Sequence, residues 1–486
     1  MAQNSAEAYP PVERHPETGI SVLVVGAGVG GLCAALECWR KGHKVRIVDR
    51  TSKPDTGGDF FSISPAATKA FRHWPEMNAK HLAAARQPYN ANYLLTGEQT
   101  RKHMPFMVDT TDENGKAVTT VLTQYRHSRP KLHGILIEQL AAIGIEVEFN
   151  HKAIKYEETA DKGIVRSEDG VILEGDVVIA ADGLGTASYE LVLGHKLRAR
   201  SSGYAIYRTA FPAEVVTRDP QLSQHYRLLD IPKSTPIDIW LGPHIQVFTQ
   251  LTEDIFSWSM VHKDDGKAQE TWHSTSHTCE PADAIKHIED AQGFCPEILK
   301  KTMLATPKDK LLDWKIMWRD SQPNWVSPQG RVIQLGDAAH TFVPSSGNGA
   351  NQAMEDATSL ASCLQLAGKD DIPLALRVHN LLRFERVSCT QITGFQAQIN
   401  RNNVDINALT AKPDQVVGKW GRWIWAHDPE QYAYDNYEKA KAHLVSGAPF
   451  ENTNIPAGYK FKPWNIDELL AIGDSGKQIV FEGDWS

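Results

Sequence analysis

Short apolar runs that close on a glycine or an acid organise this chain. Ser21 to Val25 carries no charge and has the length of a strand buried on both faces. It runs into Gly26-Ala27-Gly28-Val29-Gly30-Gly31, after which Leu32 to Lys41 reads as a helix stopped by Gly42. A second strand, Lys44 to Val48, ends on Asp49. Two later runs share this design: Asp176 to Ala181 ends on Asp182-Gly183, and Val332 to Leu335 ends on Gly336-Asp337. The last is followed by a small-residue loop and a helix from about Gly349. Between them the pattern alternates, predicting an antiparallel sheet from Tyr204 to Phe211, Tyr226 to Asp230, Ile237 to Leu241, Ile245 to Leu251 and Ile255 to His262. Glu280 to Lys301 reads as one or two helices, and residues 369–445 are helix-rich before an irregular tail.

These runs divide the chain. A discontinuous nucleotide-binding unit spans 20–198 and 310–400, with a smaller excursion near 89–117. A substrate domain occupies 199–309, residues 1–19 form a polar, flexible N-terminus, and 401–486 form a helical C-terminal region and tail. Composition narrows the class. With 486 residues, 41% apolar and 23% charged, the chain is an ordinary soluble globular protein. A net charge of −8 without a long basic run argues against a nucleic-acid partner. The six cysteines show neither metal-ligand nor disulfide spacing, which fits a reducing, cytoplasmic compartment and no metal. No apolar run reaches the roughly 18 residues of a membrane span.

The first strand–helix–strand is a dinucleotide fingerprint. Gly26 permits the tight turn, Gly28 lets the backbone approach a pyrophosphate, and Gly31 allows close helix–strand packing. Asp49, about twenty residues on, is placed to accept from ribose hydroxyls, whether the dinucleotide is NAD or FAD. Asp337 at its strand tip suits sugar or polyol hydroxyls. The loop through Pro344, Gly347, Gly349 and Ala350 brings backbone N–H groups and the positive end of a helix dipole to an electron-rich ligand.

Together these segments resemble the class A flavoprotein monooxygenases, the para-hydroxybenzoate hydroxylase-like enzymes, in their fungal secondary-metabolism branch. The resemblance covers about 20–400 and is weakest in the substrate domain. It implies an α/β fold: a split Rossmann-like FAD-binding domain with an inserted antiparallel-sheet substrate domain and a helical C-terminal region. It also implies non-covalent FAD, with NAD(P)H and O2 as co-substrates. Asp182-Gly183 is similar to the family's Asp-Gly motif near the pyrophosphate. Beyond it, Leu184 to Tyr189 offers Thr186 for the family's serine but lacks the following arginine. Arg129, opening Arg-Pro-Lys-Leu, matches the arginine that reaches the FAD phosphate or ribityl region, where a planar fork suits oxygens. Gly58 falls in a loop that passes the isoalloxazine in relatives, Asp337 would bind the ribityl chain, and the Pro344 to Ala350 loop would cover the flavin.

On the substrate side the strand Gly203 to Thr209 is similar to one in fungal enzymes acting on phenolic polyketides. There Arg208 and Tyr207 are expected to be catalytic, the arginine holding a phenolate or carbonyl oxygen. Trp240, His244 and Trp258 are expected to wall an aromatic pocket, and His340 to be structural. The implied reaction is hydroxylation of an aromatic natural product through a flavin C4a-hydroperoxide, a phenolic polyketide being favoured. Indole epoxidation, or flavin dehydrogenase or oxidase chemistry without oxygen insertion, are the alternatives.

Overall fold

The computed structural model describes residues 9–54, 59–111, 116–270, 279–402, 421–474 and 482–485. Its centre is a five-stranded parallel sheet in the order Val332–Gln334, Val177–Ala180, Ser21–Val25, Lys44–Val48, Val147–Glu148. The three apolar runs ending on Gly26, Asp182 and Gly336 are its three adjacent strands, so all three punctuating turns emerge side by side at one sheet edge. That follows from parallel pairing, which brings the carboxyl ends of the strands together. The helix Val29–Arg40 packs against the helix Gly349–Ala367 through small residues. A Cβ on Gly30 would lie 2.9 Å from Ala353 Cβ.

A seven-stranded sheet forms the second layer, ordered Leu312–Trp318, Arg200–Pro212, Ile255–Lys263, Ile245–Leu251, Ser234–Gly242, Gln87–Leu94, Gln99–Met104. Three details differ from the sequence reading. Tyr226 to Asp230 is not a strand: Asp219 caps a short helix, Pro220–His225, accepting from the Gln221 and Leu222 amides, and Tyr226 then turns into the core. The excursion near 89–117 contributes two strands to this sheet, Gln87–Leu94 pairing in parallel with Ser234–Gly242. Leu312–Trp318, lying beyond the expected domain boundary, is its other edge. Periodicity predicts a strand but not which sheet recruits it.

The helices Pro281–Gln292 and Glu297–Leu304 cover one face of this sheet. At the C-terminus, the helix Pro429–Ser446 is tied to the nucleotide unit by Glu430. It accepts from Arg40 (2.7 Å), Arg72 (2.8 Å), His73 (2.8 Å) and Lys41. A buried acid shared by Arg40, Lys41 and Arg72 is costly to remove, because the remaining charges lose their compensation.

Candidate active site

The turn after the first strand is shaped by contacts only glycine allows. Gly26 has φ 108°, and a Cβ there would lie 2.3 Å from the Ala181 carbonyl oxygen. A Cβ on Gly31 would stand 1.9 Å from the Gly26 carbonyl oxygen, so turn and helix meet backbone to backbone. Gly28 is the opposite case: nothing lies within 4 Å of its Cβ position. The helix Val29–Arg40 starts there without a side-chain cap, leaving its first N–H groups for a ligand. Asp49 braces this turn. Its Oδ2 accepts from the Ala27 amide at 2.7 Å, and its Oδ1 accepts from the Thr51 amide and hydroxyl, each at 2.7 Å.

Beside it, Asp182 receives the Tyr156 hydroxyl on Oδ2 at 2.7 Å, while its buried Oδ1 has no hydrogen-bond partner. Burial pushes its pKa up to about 6, against the pull of nearby Thr186 and Tyr156. The segment after Asp182-Gly183, which lacks the family's arginine, is met by an arginine from elsewhere in the chain. Arg319, buried, donates to the Leu184 carbonyl at 2.6 Å and to the Tyr189 hydroxyl at 3.2 Å, with its guanidinium 4.7 Å from the Tyr189 ring centroid. Sequence reading missed it because no local motif marks it.

Asp337 is open to solvent although the strand behind it is fully buried. The protein atoms crowding the carboxyl desolvate it and raise its pKa, and His340, Arg129 and Arg319 oppose that rise. The Arg129 guanidinium lies 5.3 Å from the Phe61 ring centroid, at the start of the helix Arg129–Ala142. Gly349 brings the first turn of its helix to Asp337: a Cβ there would be 3.8 Å from Asp337 Oδ1. The preceding loop turns through Pro344–Ser346 and a left-handed Gly347 (φ 61°). Pro344 and Gly347 are exposed, while Gly349 and Ala350 are half-buried. Asn351 fixes the loop, donating to the Gly347 carbonyl at 2.9 Å while accepting from the Ser64 amide at 2.9 Å. Gly58 lies outside the described residues. His340 is buried, its Nε2 pairing with Asp356 at 2.6 Å inside a network with Arg383, Glu355 and Arg386.

Strand register divides the substrate-side residues between two faces. Tyr207, Trp240 and Trp258 share one face, the one covered by the helices Pro281–Gln292 and Glu297–Leu304. Tyr207 stacks on His262 there (4.5 Å), Trp240 on Tyr93 (4.4 Å), and Trp258 Nε1 donates to Thr306 at 2.9 Å. These aromatics form core, as period-2 alternation from Arg208 requires. His244 sits in a hairpin turn at φ 57°, its Nδ1 3.0 Å from the Tyr204 hydroxyl. Arg208 lies on the opposite face, but its fork is filled. Nε donates to Asp59 Oδ2 at 2.7 Å, a second arm goes to Asp59 Oδ1, and the guanidinium rests 5.0 Å from the Trp314 ring centroid. Asp59 was not legible as its partner, being 149 residues away.

The open gap at Gly28, the orphaned Asp182 oxygen and the solvent-open Asp337 fit a dinucleotide lying across the three strand ends. Comparison with known proteins agrees. Residues 19–371 match the family model described as FAD binding domain. Among curated relatives, the FAD-dependent monooxygenase dmxR9 of Cryptosporiopsis sp. (strain 8999) is 40% identical, with 98% of this chain and 91% of the relative aligned. The FAD-dependent monooxygenase fsr3 of Gibberella fujikuroi is 39% identical over the same shares. A crystal structure of CtdE in complex with FAD and a substrate superposes with a TM-score of 0.77 at 30% identity, covering 88% of this chain and all of that one. Among the described residues, no helix is long and apolar enough to cross a membrane.

Proposed function

Because this chain belongs to the FAD binding domain family and is an FAD-dependent monooxygenase, we propose that it hydroxylates an aromatic natural product, a phenolic one, with NAD(P)H and O2. Bound and reduced, the flavin supplies activation of O2 and delivery of one oxygen atom to an electron-rich carbon.

The chain's own residues do the rest. Gly26, Gly28 and Gly31 with the helix dipole seat the pyrophosphate, Asp182 and Arg319 hold the neighbouring turn, and Asp337 with Arg129 orients the sugar-alcohol chain. The flavin-side face of the seven-stranded sheet closes over the ring and excludes water. The Arg208–Asp59 pair holds the chain leading into the strand Phe60–Ile63 against this sheet and is a positioning device. The observation that carries the reading is the convergence of three strand ends at one edge of the parallel sheet, where the Gly28 position is open, an Asp182 oxygen is unpartnered and Asp337 is exposed. A cytoplasmic location fits the six cysteines, all free thiols.

The test is oxidation of NADH and NADPH by the FAD-loaded protein across a panel of phenols. Acceleration by one of them, with a hydroxylated product, is expected. A rate indifferent to every phenol, with indoles accelerating it instead, overturns the phenolic assignment.

A further inference from the structure

Two guanidinium groups meet on the Arg208 face of the seven-stranded sheet, Arg208 from the sheet itself and Arg126 from the two-stranded ladder beside it, and they differ in one respect. Arg208 is neutralised by Asp59. Arg126, half-buried on the strand Tyr125–Ser128, has no carboxylate partner among the described residues. Its Nε donates to Gln250 Oε1 at 2.8 Å and its Nη1 reaches Ser62 Oγ at 3.4 Å, both neutral oxygens. Gln250 is 3% exposed, shares the face of Arg208, and leaves its own Nε2 without a hydrogen-bond partner. On the other side, Ser62 pairs with Arg126 in the two-stranded ladder, and the Ser62 carbonyl accepts at 3.4 Å from Asn351, in the first turn of the helix that follows the Pro344 to Ala350 loop. Arg126 therefore bridges the sheet and the loop expected to cover the flavin.

A cation drawn out of water without a counter-charge is costly, and burial together with the neighbouring Arg129 lowers its pKa to about 10. An anionic ligand would relieve both effects, and the free amide of Gln250 adds a neutral donor beside it.

We propose that Arg126 and Gln250 form the anion-binding end of the substrate pocket, holding the ionised phenolic oxygen of the aromatic substrate against the flavin loop. The assignment rests on the phenolic reading above and moves the anion clamp from Arg208 to Arg126. The guanidinium stabilises the phenolate, the phenolic proton goes to solvent, and the anion raises electron density at the ring carbons ortho and para to it.

The probe is alizarin, a polycyclic phenol whose anion absorbs beyond the flavin bands, with its dimethyl ether as uncharged control. FAD-loaded wild-type protein is expected to bind alizarin as the anion at a pH where the free dye is neutral. Arg126→Gln should abolish the anion band and weaken binding about 10- to 100-fold, with FAD content unchanged. Arg126→Lys should keep part of the band. Gln250→Glu keeps Arg126 but satisfies it with a carboxylate within the protein, and should also abolish the band. The double variant Arg208→Gln/Asp59→Asn should retain it. An anion band that survives Arg126→Gln overturns the assignment, as does loss of FAD in that variant, which would place the guanidinium on the cofactor. If wild type binds neither dye yet oxidises NAD(P)H with an indole, the phenolic reading itself has failed.

Discussion

Gly28→Ala separates the cofactor cradle from the fold. In the structure the added methyl meets nothing within 4 Å, and the residue's φ −70°, ψ 175° is open to any amino acid. The apoprotein should therefore be unchanged within about 0.5 kcal/mol. If the pyrophosphate lies where the gap is, the same methyl is forced against it. Overpacking of that size costs roughly 1–3 kcal/mol, which is about one to two decades in FAD affinity. Gly31→Ala is the contrast, because its Cβ would stand 1.9 Å from a backbone carbonyl oxygen that cannot swing aside. It should destabilise the apoprotein itself by about 1–3 kcal/mol or more. Urea unfolding of flavin-stripped protein gives the first quantity, and titration of flavin fluorescence gives the second. At fixed FAD concentration the holoprotein's extra stability in Gly28→Ala should fall by about 1.4 kcal/mol per decade of affinity lost. Unchanged FAD affinity in Gly28→Ala would refute the placement of the pyrophosphate. Apoprotein destabilisation matching that of Gly31→Ala would show that the gap is not open.

Asp337→Ala should weaken FAD binding by about 1.5–3 kcal/mol while the fold survives, as removing one charged acceptor does; equilibrium dialysis showing wild-type affinity would place the carboxylate elsewhere. Arg208→Gln leaves Asp59 uncompensated, costing about 3–5 kcal/mol, and Asp59→Asn in the same chain should restore most of it; a double-mutant cycle with no coupling would show the pair to be idle. The buried His81–His127 pair (Nδ1 to Nε2, 2.8 Å) sets an acid limit. Burial lowers the two pKa values to about 4 and about 3, so below pH 6.5 the unfolded chain binds protons the native one does not. Stability contributed by these rings is complete above pH 6.5 and is lost as pH falls toward 3, about 2 kcal/mol per ring at pH 5. His127→Gln should flatten the drop between pH 7 and pH 5 by that amount, and an unaltered slope in urea melts would refute it.

Much of the cofactor half was legible because each element carries its own punctuation. Gly26, Asp182 and Asp337 each end an apolar strand, and parallel pairing is nearly the only way to bury three such runs. The substrate half was not. Alternation marks Tyr207, Arg208, Trp240 and Trp258 as strand residues, yet which face meets the flavin depends on the sheet's partners. The helices Pro281–Gln292 and Glu297–Leu304 took the aromatic face. Arg126 and Arg319 carry no motif at all. Their meaning arises from Gln250, Leu184 and Tyr189, brought to them by tertiary packing across more than a hundred residues.

The central claim, that one atom of O2 enters an aromatic ring, is tested most directly by isotope. The FAD-loaded protein is turned over with NAD(P)H under 18O2, using the phenol that most accelerates NAD(P)H oxidation, and the product is weighed by mass spectrometry. One 18O per product molecule, matched to one NAD(P)H consumed, is the predicted result. An oxidised product free of 18O, with one hydrogen peroxide formed per product molecule and no NAD(P)H consumed for it, would contradict it.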